Sequence, residues 1–116
     1  MQNNYRTKNG TISRKVIREI AKRIAEKFEV DKIILFGSYA YGKPKRTSDV
    51  DMLVVMNYQM RPLKQSFEIL RSLYPLYFGI DLIVKSEDDI QRRVPQGDAF
   101  LKDAYYKGKI LYERST

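Results

Sequence analysis

The sequence holds 116 residues, 43% of them hydrophobic, and carries a net charge of +8 from 22 basic and 14 acidic side chains. It has no cysteine and no histidine, which excludes disulfide frameworks, thiolate or imidazole metal sites, Ser-His triads and histidine-based ribonuclease chemistry within this chain. Any metal must be held by oxygen ligands, which favours a hard cation such as Mg²⁺.

The length suits one domain over residues 1–116, and the composition is globular rather than disordered. No apolar run approaches the roughly 20 residues that span a bilayer, and no signal-peptide pattern opens the chain, so a cytoplasmic protein without membrane contact is expected. The positive charge suits phosphates, whether of a nucleotide, a nucleic acid or an acidic partner, and does not choose among them.

Residues 1–12 are polar, Gly-containing and aperiodic, and read as a loose arm. From Ser13 a helix is expected, with Val16, Ile17, Ile20, Ala21, Ile24, Ala25 and Phe28 on one face and Ser13 as its N-cap. Lys32 to Phe36 is a short, mostly apolar run with two β-branched residues, a buried strand. Gly37 and Ser38 end it, and Tyr39 to Ser48 reads as a loop with Gly42, Pro44 and several basic residues. Val50 to Met56 is apolar on both faces beyond Asp51, which suits a central strand.

Pro62 fits the first turn of a second helix, with Leu63, Phe67, Leu70 and Tyr74 marking its apolar face and Pro75 stopping it. Gly79 to Lys85 is a third strand with Asp81 embedded in it. Ser86 and Asp89 form a capping-box pattern for a helix reaching about Val94. After Pro95 and Gly97, a helix opens at Asp98 with Phe100, Leu101, Ala104 and Tyr105 on its face. Gly108 stops it, and Lys109 to Glu113 suits an edge strand. The fold class expected is α/β, in the α+β sense: a small mixed β-sheet covered by helices.

Asp49 and Asp51 are two residues apart at the head of a strand, so both carboxylates lie on one face. Paired there they repel each other unless a cation joins them. If the third strand lies beside the second, Asp81 joins the cluster. Three carboxylates can hold two metals about 3.5–4 Å apart, the arrangement that clamps attacking and leaving oxygens in phosphoryl chemistry. Gly37 allows close backbone approach to a phosphate, and Ser38 adds a hydroxyl donor. Lys43, Lys45 and Arg46 can neutralise a triphosphate or a departing pyrophosphate. A lone D-x-D or a lone G-S is more often a turn; the order and strand context of the set give it specificity.

The run G-S-Y-A-Y-G-K-P-K-R-T-S-D-V-D-M-L-V resembles the signature of the DNA polymerase β-like nucleotidyltransferase superfamily, G-S followed by ten residues and D-x-D. The short length and the ending G-K-I-L-Y-E are similar to its minimal branch. The resemblance implies Gly37 and Ser38 as triphosphate binders, Asp49 and Asp51 as ligands of two Mg²⁺ ions, and Asp81 as the third carboxylate, which helps activate an acceptor hydroxyl. Tyr41 departs from the arginine of the common G-S-x-A-R-G form, which removes a charge beside the turn.

The activity expected is transfer of a nucleoside monophosphate, AMP from ATP, to a hydroxyl acceptor. Branch members that are antitoxins of HEPN-domain toxins imply a toxin tyrosine as that acceptor, with this histidine-free chain as the antitoxin. The alternatives are a non-catalytic module that neutralises a partner by docking, and a basic nucleic-acid-binding protein, which rests on charge alone and is not favoured.

Overall fold

In the computed structural model, which describes residues 5–115, Ser13 opens the first helix as the sequence requires. Its hydroxyl accepts from the Val16 N–H, capping α1 (Arg14–Lys27), an arrangement worth about 1 kcal/mol. Ile17, Ile20, Ala21 and Ile24 of α1 are buried. The chain then runs through β1 (Lys32–Phe36), α2 (Ser38–Tyr41), β2 (Val50–Val55), α3 (Pro62–Ser72), β3 (Ile80–Lys85), α4 (Glu87–Arg93), α5 (Ala99–Lys107) and β4 (Lys109–Glu113). The order of strands in the sheet is β3-β2-β1-β4. β1 is antiparallel to both β2 and β4, whereas β2 and β3 are parallel. The sheet is therefore mixed, with β2 internal and β4 at an edge, as the composition of each strand suggested.

Alternation along the strands splits the core in two. Ile33, Leu35, Val50, Met52, Val54, Leu82 and Val84 pack with α1 and α3 on one face. Ile34, Phe36, Leu53 and Val55 pack with Ile90 of α4 and with Leu101 and Ala104 of α5 on the other. α4 carries the full capping box, Ser86 and Asp89 each serving the other's backbone N–H.

Three expectations change. The loop read over Tyr39–Ser48 begins instead with the short helix α2, because Tyr41 and Gly42 donate back to Gly37 and Ser38 carbonyls. The loose arm lies partly outside the described residues, at positions 1–4. Over residues 5–12 it is a packed turn: Arg6 bridges to Ile12, Ser13 N–H donates to Tyr5, and Ile12 is buried in the core. The Ile12 N–H donates to the Tyr39 hydroxyl at 2.9 Å, tying this turn to α2.

The third change is the face of α3. Leu63, Phe67 and Tyr74 are exposed, and the face laid on the sheet carries Gln65, Ser66 and Ile69, followed by Leu73. Two polar residues hide that face from hydrophobic periodicity. They can be buried because Gln65 accepts from the Gln59 N–H at 3.0 Å and Ser66 donates to the Leu63 carbonyl at 2.7 Å.

Candidate active site

The end of β1, the head of β2 and the head of β3 meet at one end of the sheet, and this is where the signature residues collect. Phe36 is opposite Asp51 in the β1–β2 ladder, and Asp51 is opposite Asp81 in the parallel β2–β3 ladder. Residues facing each other in adjacent strands share a face at a strand spacing of about 4.8 Å. The condition for Asp81 to join the pair, adjacency of the second and third strands, is met.

Asp51 is half-buried, while Asp49 and Asp81 are exposed. Burial first, and then the charges of Asp81 and Asp49, hold the Asp51 carboxyl above the usual carboxylate range. Burial and like charges disfavour the ionised carboxyl, and a bound cation would favour it. The donor set is all oxygen, which fits a hard divalent cation. Among the described residues no three acidic side chains form a ready-made cation cage. Asp49 and Asp81, being exposed, have the rotational freedom to converge with Asp51 on an ion.

Two glycines shape the carboxylates. Gly37 has φ 74° and ψ −156° and precedes α2 as its N-cap. A Cβ at this position would lie 2.1 Å from Asp51 Oδ2, so the carboxylate occupies the space that any other residue would fill. Gly79, at the entrance to β3, does the same for Asp49: a Cβ there would lie 2.1 Å from its Oδ1. The Gly79 carbonyl also accepts from the Val50 N–H at 3.0 Å. The sequence reading missed Gly79; its place directly before a strand bearing an embedded aspartate was the available signal. Gly42 is a third close approach, since a Cβ there would meet the Ser38 Cα at 3.0 Å. Ser38 starts α2, and the first-turn N–H groups of a helix have no intrahelical acceptor. Tyr39 was also missed as a site support; it is buried, and its hydroxyl anchors the N-terminal turn to the Gly-Ser element.

Lys43 and Lys45 are exposed on the connector. Arg46 lies along Gly10, where a Cβ would meet its Nη1 at 3.1 Å, and its carbonyl accepts from Arg6. Among the described residues neither Lys43 nor Arg46 pairs with Asp49, Asp51 or Asp81. Tyr41 is exposed at the end of α2.

A mixed sheet covered by helices, a Gly-Ser turn closing its first strand, and carboxylates at the heads of two parallel neighbours together define a nucleotidyltransferase. The chain belongs to the polymerase β nucleotidyltransferase family, whose model matches residues 18–116. Its relatives include "Putative protein adenylyltransferase MJ0604" of Methanocaldococcus jannaschii, 30% identical over 100 residues, a match covering 84% of this chain and 96% of that protein. "Putative protein adenylyltransferase MJ1215" of the same organism is 35% identical over 74 residues, covering 63% of this chain and 85% of the relative.

Among solved structures, "a putative nucleotidyltransferase from Sulfolobus solfataricus" superposes with a TM-score of 0.53 at 27% identity, over 67% of this chain and 70% of that one. A mutant form of the toxin–antitoxin MntA-HpeT superposes with a TM-score of 0.57 at 21% identity, covering 84% of this chain and 73% of that one, a likeness of fold. Among the described residues no helix is long and apolar enough to cross a membrane.

Proposed function

We propose that this chain transfers AMP from ATP to a tyrosine hydroxyl of a HEPN-type toxin and thereby acts as its antitoxin. The observation that carries the transfer reading is the pairing of Asp51 with Asp81 across parallel strands, with Asp51 seated against Gly37. The toxin partner is supported by relatives that bear the name "Putative protein adenylyltransferase" and by the fold shared with a toxin–antitoxin pair. The lack of histidine fits the antitoxin half of such a pair.

The reaction is an in-line displacement. The acceptor oxygen attacks the α-phosphorus of ATP, the bond from that phosphorus to the oxygen bridging to the β-phosphate breaks, and pyrophosphate leaves. The acceptor proton passes to the exposed Asp81 carboxylate and on to solvent. Gly37 and Ser38 hold the triphosphate through backbone N–H groups and the Ser38 hydroxyl. Lys43 and Arg46, on the connector, neutralise the departing pyrophosphate. Asp49 and Asp51 would hold two Mg²⁺ ions, with Asp81 completing one of them. When bound, these cations screen the phosphates and stabilise charge on the attacking and leaving oxygens.

Mass spectrometry of the co-expressed pair tests this reading: the partner should be heavier by one or more AMP units, and Asp49→Asn or Asp51→Asn should abolish the added mass. An unmodified partner that is nevertheless neutralised by the Asp49→Asn, Asp51→Asn protein would replace transfer with neutralisation by docking.

A further inference from the structure

Phe100 stands in the first turn of α5. Its neighbours Leu101 and Ala104 are buried beneath the helix, whereas Phe100 is 57% exposed. A single exposed phenylalanine needs no explanation in itself. This one is held in place: its ring meets the Phe36 ring edge to face, with centroids 5.5 Å apart and planes at 87°, a favoured aromatic geometry. Phe36 is buried, so the Phe100 ring rests on a fixed support and keeps much of its surface open to solvent.

That support borders the carboxylates. Phe36 is opposite Asp51 in the antiparallel β1–β2 ladder, and directly opposed residues point to the same face with Cα atoms about 5 Å apart. Phe36 packs with Leu53 and Val55 beneath α4 and α5. Leu53 and Val55 follow Asp51 at intervals of two along β2, which puts Asp51 on that face as well. The Phe100 ring therefore stands on the order of 10 Å from the Asp51 carboxylate, one strand spacing plus one ring contact.

Across the sheet the order is Asp81 on β3, Asp51 on β2 and Phe36 on β1. Phe36 leads directly into Gly37 and Ser38, which hold the triphosphate in the transfer reading, whereas Asp81 meets the acceptor. Phe100 is thus on the nucleotide side of Asp51. A flat apolar ring, open to solvent about one nucleoside's length from the metal-binding carboxylate, matches the π-face of a base.

We infer that Phe100 is the platform on which the base of the nucleoside triphosphate stacks. The inference rests on the transfer reading and adds to it the group that recognises the nucleoside. Stacking on one ring responds to the area of the base and reads none of its hydrogen-bonding edge, so the platform favours a purine over a pyrimidine and treats adenine and guanine alike.

The test uses the full chain with Mg²⁺ and the α,β-methylene analogues of ATP and CTP, which bind without transfer, and inorganic tripolyphosphate as a base-free probe. Calorimetry should show the ATP analogue binding more tightly than the CTP analogue. Phe100→Ala should weaken the ATP analogue about tenfold, narrow its lead over the CTP analogue, and leave tripolyphosphate unchanged. Thermal unfolding confirms that the variant is folded. The chain has no tryptophan, so Phe100→Trp places a single indole in the platform. Its fluorescence should be quenched by the ATP analogue and not by tripolyphosphate, a signature that a merely structural ring would not give.

Equal affinity of wild type and Phe100→Ala for the ATP analogue would overturn the inference, as would unquenched fluorescence in Phe100→Trp with the analogue bound. An equal loss for tripolyphosphate would also overturn it, since that makes Phe100 a support of the phosphate site. AMP transfer separates the two readings. Phe100-dependent binding with no AMP added to the co-expressed partner keeps the platform and removes the transfer reading. AMP addition at limiting ATP that is equal for wild type and Phe100→Ala does the reverse, and binding of none of the three probes removes both.

Discussion

Replacing Gly37 by alanine tests the geometry of the site at its tightest point. The backbone at Gly37, φ 74° and ψ −156°, lies in a region that side chains other than glycine avoid, and holding another residue there costs about 1–3 kcal/mol. For a domain of this length that lowers Tm by roughly 4–12 °C. The second effect is local. The new Cβ would stand 2.1 Å from Asp51 Oδ2, so the carboxylate must retreat by about 1 Å, a misplacement that costs on the order of a hundredfold in rate.

Circular-dichroism melts measure the first effect, and label transfer from α-labelled ATP to the partner measures the second. Combining Gly37→Ala with Asp51→Ala separates them in stability, because the clash disappears with the carboxylate while the backbone strain remains. The double variant should melt above Gly37→Ala and below Asp51→Ala. A Gly37→Ala protein that melts within about 2 °C of wild type and transfers at full rate would refute both the backbone strain and the role given to Asp51.

Gly79→Ala should leave stability nearly unchanged, because the exposed Asp49 side chain can turn away from the new Cβ, yet transfer should fall on the order of a hundredfold as that carboxylate leaves its place. Asp51→Asn should raise Tm in the absence of divalent cations, since it removes a charge opposed by burial and by Asp81 and Asp49; Mg²⁺ with a non-hydrolysable ATP analogue should stabilise wild type and not the variant, as read in thermal-shift measurements.

Asp89 behaves in the opposite way: burial opposes its charge, but hydrogen bonds from Ser86 and Tyr58 and the Arg92 guanidinium overcome it and hold its carboxyl below the usual range. Its contribution is present above the unfolded value of 3.8 and is lost as pH falls through the lower folded value. Asp89→Ala should cost about 1.5–3 kcal/mol in urea unfolding at neutral pH, with the difference from wild type narrowing in acid. Tyr39→Phe removes the acceptor of the buried Ile12 N–H and should cost about 1–3 kcal/mol, with faster hydrogen exchange over residues 5–12 as its local signature.

The sequence by itself determined the strands, the caps and the identity of the chemistry. Ser13 and Asp98 cap their helices, and Ser86 with Asp89 closes a capping box, because capping is settled within one turn of chain. β1 was legible as Lys32–Phe36, since five residues between polar neighbours have no better use than a buried strand. Gly37, Ser38, Asp49 and Asp51 stood out because both halves of the signature lie at the adjoining ends of consecutive strands, close together in the chain.

What required tertiary structure is whatever depends on a neighbour distant in sequence. Asp81 became a partner of Asp51 only when β3 was seen parallel to β2. Gly79 gained meaning only when the Asp49 carboxylate was found against it. The arm at residues 5–12 became ordered through Tyr39, a residue 27 positions away from the Ile12 it binds. The face of α3 could not be read by period, because hydrogen bonds made Gln65 and Ser66 cheap to bury while Leu63, Phe67 and Tyr74 were left outside. Periodicity registers how apolar a side chain is, whereas burial depends on whether its polar atoms find partners, and those partners are supplied by the fold.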